Sequence, residues 1–149
     1  MSTSSNVAPI SNIDAYRGDT LLRTVRVKDR KTKQRLPLTG ASVLMQLRET
    51  PESPTVLYTF TTTIAKSVVN GITTNDDEIR ISIPSIDWGV IDTIMALPST
   101  IVKEWDDGKN KTKEYILGVF DLQLTYSGGI VETLFRGQFT VIGDTSRNV

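Results

Sequence analysis

The chain has 149 residues, of which 38% are apolar and 23% charged, and its 17 basic and 17 acidic side chains leave no net charge. This composition is typical of one soluble globular domain, and the neutral balance argues against a dedicated nucleic-acid-binding protein, which usually carries a basic excess. The sequence contains neither cysteine nor histidine, which excludes disulfides, thiolate or histidine metal sites and a Ser-His-Asp triad. We therefore expect no catalytic activity, although catalysis by carboxylates or lysine stays formally open.

The beginning of the chain is polar. Residues 1–6 contain no basic cluster and no apolar centre, so they do not have the pattern of a signal peptide. No apolar run approaches the roughly 20 residues of a membrane-spanning helix. We expect residues 1–15 to form a flexible arm and residues 16–147 to form one domain.

Alternation of apolar and polar residues predicts strands along most of that domain. They are expected over residues 20–28, 41–48, 55–64, 78–83, 114–126 and 130–142. Turn signals separate them, and Asn70-Gly71 is a strong hairpin dipeptide. Ser127-Gly128-Gly129 joins the last two strands, which predicts a long terminal hairpin.

Residues 85–99 differ from the rest. Their apolar residues, including Trp88, Ile91 and Ile94, have roughly helical spacing, so they predict one short helix or an irregular crossover. A turn-rich tip follows Trp105. The whole pattern favours an all-β fold, an immunoglobulin-like β-sandwich of about seven antiparallel strands.

The terminal hairpin carries the expected core. Phe120, Leu122 and Leu124 are expected to lie against Phe135, Phe139 and Val141. Gly137, inside the last strand, indicates a bulge or a close approach of another backbone segment.

Three short motifs have both a functional and a structural interpretation. Arg17-Gly18-Asp19 spells a tripeptide that adhesion receptors recognise, but at the start of a strand these residues also suit a tight turn, which we favour. Residues 75–78 and 106–108 are acidic and could bind calcium. They lack the ligand spacing of an EF-hand loop, so we favour polar turns and predict no metal or cofactor site.

Four residues are candidates for contact with a partner: Trp88, Trp105, Tyr16 and Arg35. Tryptophan and tyrosine are enriched at interfaces. For the two tryptophans we favour anchoring of a loop on the core, then contact with a neighbouring subunit, and last stacking on a sugar. Arg35 belongs to the basic connection over residues 29–35, which is either a solvated loop tip or a patch for phosphate or an acidic partner.

Several short motifs occur in an order that resembles a known group of proteins. They are Arg17-Gly18-Asp19-Thr20-Leu21, the turn Leu38-Thr39-Gly40-Ala41 with the strand to Arg48, residues 120–125, residues 137–141 and Asp144-Thr145-Ser146-Arg147. Together they resemble the small β-sandwich proteins of tailed bacteriophages, including the N-terminal modules of baseplate upper proteins. The resemblance covers about residues 17–147, and residues 88–110 depart from it.

The resemblance implies a virion structural protein of the tail, the baseplate or a tail-fibre attachment site. Such a protein assembles in the host cytoplasm. It forms symmetric homo-oligomers, and these bind other virion structural proteins. It has no catalytic activity, cofactor, small-molecule substrate, nucleic-acid partner or membrane partner. The alternatives are a capsid decoration protein, a host-surface carbohydrate-binding module that uses Trp88, Trp105 and tyrosines, and an enzyme that uses carboxylates.

Overall fold

The structure is a computed structural model that describes residues 10–28, 31–32, 34, 36–106, 108 and 111–144, with the backbone alone for residues 67–69, 73–76, 105, 111 and 144. This part of the chain forms nine strands and one short helix, which confirms the all-β prediction. The strands are β1 (Ile13–Tyr16), β2 (Leu21–Arg26), β3 (Ser42–Arg48), β4 (Val56–Thr59), β5 (Thr61–Val69), β6 (Ile72–Ile83), β7 (Ile101–Asp106), β8 (Lys111–Thr125) and β9 (Val131–Asp144). A 3-10 turn (Ser85–Asp87) leads into helix α1 (Trp88–Met95). No helix among the described residues is long and apolar enough to cross a membrane.

The strands form a large and a small sheet. The large sheet has the order β1-β9-β8-β3-β4, and the small sheet has the order β2-β6-β5. Strand β8 is long enough to pair with two strands along one edge, with β3 at residues 119–125 and with β7 at residues 111–116. The pairs are antiparallel except that β1 runs parallel to β9.

The inner faces of both sheets make one sandwich-like core. The small sheet contributes Ile79, Ile81 and Ile83, and the large sheet contributes Met45, Leu47, Leu122, Leu124, Phe139 and Val141, all with 0% exposure. Helix α1 adds Trp88, Ile91, Ile94 and Met95, which confirms the helical spacing seen in the sequence. The predicted core of the terminal hairpin is confirmed, with Phe135 half-buried against the ring of Phe120.

The single strand expected over residues 55–64 is wrong. The chain forms β4 in the large sheet and β5 in the small sheet, and Phe60 lies between them with only 2% exposure. The Phe60 ring packs edge-to-face on Tyr58, Phe120 and Phe139 at centroid distances of 5.1, 6.0 and 5.3 Å. These contacts on several sides of the ring favour a bend of the chain at Phe60, from the large sheet to the small sheet. In one continuous strand, the residues on both sides of Phe60 would stay in the same sheet.

The expected number of about seven strands is also wrong. Strand β1 begins within the predicted arm, with Ile13 5% and Ala15 3% exposed against β9, and residues 1–9 lie outside the described part. Strand β7 occupies a segment expected to be irregular. The two buried positions in β1 give an alternation that is too short to identify from sequence. The described side chains of β7 are exposed, so β7 has no alternation of buried and exposed residues.

The glycine predictions are confirmed. Asn70 and Gly71 have φ values of 52° and 78°, as a two-residue hairpin of the mirror-image type requires. At Gly137, an added Cβ would overlap the backbone oxygen of Ser11 and lie 2.7 Å from its carbonyl carbon. Gly137 therefore marks the predicted close backbone approach.

Candidate functional site

The tripeptide Arg17-Gly18-Asp19 is a turn that joins β1 to β2 and contacts α1. Gly18 has a φ of 86°, and the backbone N–H of Asp19 donates to the carbonyl of Tyr16. The Arg17 Nε donates to Asp92 Oδ1 at 3.0 Å. This hydrogen bond, together with the negative charge of Asp92, raises the pKa of Arg17. These bonds favour the structural interpretation of the motif over receptor recognition.

Trp88 anchors the same turn from the helix side. Its ring is 6% exposed, and its indole Nε1–H donates to the carbonyl oxygen of Asp19 at 2.9 Å. Burial and this hydrogen bond make Trp88 an anchor of the turn on the chain's own core. A buried ring leaves little surface for a sugar or a neighbouring subunit.

The polar turn expected over residues 75–78 is wrong, because these residues lie within β6, whereas the turn expected at the end of β7 agrees with the contact of Asp106. Glu78 is 5% exposed, and its two carboxylate oxygens accept from Arg26 Nη2 at 2.7 Å and from Arg80 Nε at 2.8 Å. Asp106 Oδ1 accepts from the backbone N–H of Gly108 at 2.8 Å, which is a turn contact. Among the described residues, no group of three or more acidic side chains is arranged to hold a metal ion.

An apolar stripe crosses the outer face of the large sheet. It consists of Tyr16, Ile142, Ile116 and Ile101, one residue each from β1, β9, β8 and β7. Tyr16 pairs with Ile142, and Ile116 pairs with Ile101. Between β9 and β8, Ile142 pairs with Glu114 and Ile116 pairs with Thr140, so Ile142 and Ile116 are diagonal neighbours on the same face. The two pairs therefore form a diagonal line over four strands. Tyr16 is 61% and Ile101 56% exposed, and Ile116 and Ile142 are half-buried.

Polar residues border this stripe on the same face. Asp14 pairs with Thr140, and Lys103 pairs with Glu114, in the positions two residues along each strand. An apolar strip with a charged rim has the anatomy of a small protein interface. The outer face at this end of β8 and β9 is therefore a candidate contact surface.

A groove of about 550 Å³ occupies the other half of the same face. Two rows of paired residues form its floor. The first row runs from Gln46 through Asp121 and Arg136 to Ile10. The second runs from Arg48 through Val119 and Gln138 to Asn12, whose Oδ1 accepts from the Gln138 backbone N–H at 2.9 Å. Pro51, in the loop between β3 and β4, borders one side.

The four candidate partner residues have different positions in the fold. Tyr16 lies in the exposed apolar stripe, and Trp88 is buried. Trp105 lies in β7, where its backbone pairs with Thr112, and its side chain is outside the described residues. Arg35 is also outside them. The stripe residues Ile101, Ile116 and Ile142 were not found from sequence because only the strand register brings them together.

Two tyrosine side chains donate hydrogen bonds to carboxylates of the same chain. Tyr58 donates its hydroxyl to Asp87 Oδ2 at 2.7 Å, and burial followed by this bond raises its pKa. Tyr126 donates to Glu132 Oε1 at 2.9 Å, and burial, then this bond, raises its pKa to about 12. Asp87 and Glu132 thus act as hydrogen-bond acceptors for neighbouring tyrosines.

Comparison of the chain with protein-family models and with curated proteins found no match.

Proposed function

We propose that this chain is a non-enzymatic structural protein of a bacteriophage virion. In this proposal it is an immunoglobulin-like β-sandwich of the tail, baseplate or tail-fibre attachment site, and it works by assembling with copies of itself and with neighbouring virion proteins. The apolar stripe formed by Tyr16, Ile142, Ile116 and Ile101 carries the proposal, because an apolar band across four strands with both ends exposed is suited to contact with another protein.

One motif of the bacteriophage resemblance, the turn Leu38-Thr39-Gly40-Ala41, has a structural role that supports this proposal, whereas residues 145–147 of the last motif lie outside the described residues. Leu38 is 1% exposed and its carbonyl accepts from the backbone N–H of Ala41 at 3.0 Å, so the turn before β3 is anchored in the core. Gly40 has a φ of 78°, which this turn needs and which favours glycine. The anchored turn sets the register of β3, because turn geometry decides which side chains face inward.

The use of the acidic side chains also supports a structural role. Glu78, Asp87, Asp92 and Glu132 each accept hydrogen bonds from arginine or tyrosine side chains of the same chain. These carboxylates connect strands, turns and the helix. A structural protein needs such connections, whereas general acid–base catalysis requires a carboxyl group placed next to a substrate.

Self-association is tested on the purified protein by multi-angle light scattering and sedimentation over a concentration series. We expect wild-type oligomers, and we expect Ile101→Asp to weaken association by about tenfold or more, equivalent to ~1.4 kcal/mol. Leu22→Asp is the matched control, since Leu22 is 59% exposed on a strand of the small sheet. A monomeric wild type at all concentrations, or equal effects of the two substitutions, would contradict assembly through the stripe.

The virion role is tested by immunogold electron microscopy of particles from the bacteriophage or prophage that encodes the chain. Label on the tail or baseplate is the expected result. Label on the head would favour a capsid decoration protein instead. Absence of the protein from purified particles would refute the virion role altogether.

A further inference from the structure

The outer groove presents an arginine that has no ion pair with any residue that the structure describes. Arg136 is exposed on the floor of the groove, and its guanidinium has no ion pair or hydrogen bond in the described part of the chain. Asp121 is its direct cross-strand neighbour, yet these two side chains form no salt bridge within 4.0 Å among the described contacts. Asp121 Oδ2 instead accepts from Gln123 Nε2 at 3.3 Å.

A second arginine is held in place at the opposite side of the groove. Arg48 Nη1 donates to the carbonyl of Ser53, and Nη2 donates to Gln46 Oε1, both at 3.0 Å. These two bonds orient the guanidinium, and within the described part of the chain its other N–H groups donate no further hydrogen bond. The described lining thus contains two arginines and one aspartate, which gives the groove a positive balance.

Uncharged groups complete the lining. Asn12, Gln138 and Thr133 offer amide and hydroxyl groups for hydrogen bonds, and Ile10, Pro51 and Val119 offer apolar contact. Phe120 is the aromatic residue of the described lining and is 3% exposed, so it gives no platform on which a sugar ring could stack. A chain with acidic side chains beside aliphatic ones matches this mixture better than an oligosaccharide does.

We infer that the groove binds an extended peptide segment of a partner protein, with an aspartate or glutamate side chain of the segment on Arg136. Arginine pairs with carboxylates through two parallel hydrogen bonds, which gives orientation as well as affinity. A volume of about 550 Å³ is within the usual range of ligand-binding pockets. The inference concerns partner chemistry and does not depend on the virion role or on the apolar stripe.

The test uses the full chain and a display library of random eight-residue peptides. We expect the selected peptides to be enriched in aspartate or glutamate next to aliphatic residues. Their binding should weaken by about tenfold in Arg136→Gln, because charge-assisted hydrogen bonds are roughly twice as strong as neutral ones. Binding should also weaken as salt is raised, since the groove is open to solvent. Arg23→Gln is the control, because Arg23 is an exposed arginine on β2 of the small sheet.

A third substitution gives the sign of the charge effect. Asp121→Asn removes the negative charge nearest to Arg136, so it should strengthen binding of the acidic peptides by roughly two- to fivefold. The same substitution would weaken binding of basic peptides. Unfolding curves of every variant are the control that tests whether each is folded at the temperature of the binding measurement.

The inference would be overturned if no peptides were selected above the Arg136→Gln background, or if the selected peptides were not enriched in acidic residues. Weaker binding of the acidic peptides in Asp121→Asn would also overturn it, as would an equal loss of binding in Arg136→Gln and Arg23→Gln. Binding of uronic-acid oligosaccharides, dependent on Arg136 and stronger than that of any selected peptide, would also overturn it in favour of a sugar ligand. None of these results bears on association through the stripe, so the two proposals fail separately.

Discussion

Replacement of Gly137 by alanine should detach the beginning of β1 from β9. The backbone of residues 11 and 12 passes directly over Gly137, so an added Cβ would overlap the Ser11 carbonyl oxygen and lie 3.1 Å from the Asn12 nitrogen. Backbone atoms cannot rotate away as a flexible side chain can. The substitution therefore forces the two segments apart, although alanine has no difficulty with an extended backbone.

The magnitude follows from the contacts that this separation removes. The Ser11 N–H donates to the Arg136 carbonyl at 2.7 Å, and Asn12 Oδ1 accepts from the Gln138 N–H at 2.9 Å. Loss of these two hydrogen bonds costs about 1 kcal/mol each. Partial exposure of Ile13, which is 5% exposed in the native chain, adds roughly 1–2 kcal/mol. We expect a decrease of about 3–4 kcal/mol in the free energy of unfolding.

Urea unfolding measures this decrease, and amide hydrogen exchange locates it. Relative to the wild type, the exchange rate should increase most at residues 13–16 of β1. The amides that connect β8 to β3 should keep their protection. Gly128→Ala is the control, because no heavy atom lies within 4 Å of the added Cβ and the residue is in an exposed turn. A decrease below about 0.5 kcal/mol for Gly137→Ala, the usual range of neutral surface changes, would refute the close-approach argument.

Three further predictions concern the helix, its anchor and a titrating tyrosine. Gly89→Ala should raise the free energy of unfolding by roughly 0.5–1 kcal/mol in urea denaturation. Gly89 is an exposed helical residue with nothing within 4 Å of the added Cβ, so a loss of stability would contradict that environment. Trp88→Phe should lower the free energy of unfolding by about 1–3 kcal/mol through the lost bond to Asp19 and a small cavity, and an unchanged thermal midpoint would argue against a buried anchor. Burial and the bond to Glu132 raise the pKa of Tyr126 to about 12, so the folded state retains this proton longer than the unfolded state, and stability should fall as pH rises from about 10 to 12. Tyr126→Phe should reduce that fall in urea unfolding at a series of alkaline pH values, and an identical slope in both proteins would count against the hydrogen bond.

The elements that sequence predicts well are those with a long or punctuated pattern. The terminal hairpin is identified by two long apolar strands around Ser127-Gly128-Gly129, and the second hairpin by Asn70-Gly71. For helix α1, the apolar spacing indicates either a short helix or an irregular crossover, and the structure has the helix. In each case local residue chemistry and the final packing agree, which is the condition under which a short pattern is informative.

The elements that sequence misses depend on partners distant along the chain. Phe60 bends the chain because its ring contacts Phe120 and Phe139, which follow it by 60 and 79 residues. Strand β1 exists because Ile13 and Ala15 fit against β9 near the other end of the chain. No residue near these positions signals either event, so local alternation could not have indicated them.

The candidate surfaces were largely hidden for the same reason. Tyr16 was predicted as a partner residue from its type alone, and the structure places it in the apolar stripe. Its neighbours Ile142, Ile116 and Ile101 join it only through the pairing of four strands. The groove likewise combines Asn12, Arg48 and Arg136, which no motif connects. Sequence could indicate the type of residue in each surface, but the register decides which residues meet.

The bulge in β8 explains why one sheet face carries two different surfaces. Between Ile116 and Gly118 the register with β9 shifts, and the extra residue, Leu117, is buried with 1% exposure. Strand β7 ends its pairing with β8 at Ile116, and β3 begins its own at Val119. The bulge therefore lies where β8 changes partner. An added Cβ on Gly118 would overlap the carbonyl oxygen of Arg48, so a glycine there lets the end of β3 close onto β8. The contact between Gly118 and Arg48 places Arg48 at the side of the groove, while Ile116 remains beside Ile101. The bulge at Leu117 therefore separates the polar groove from the apolar stripe.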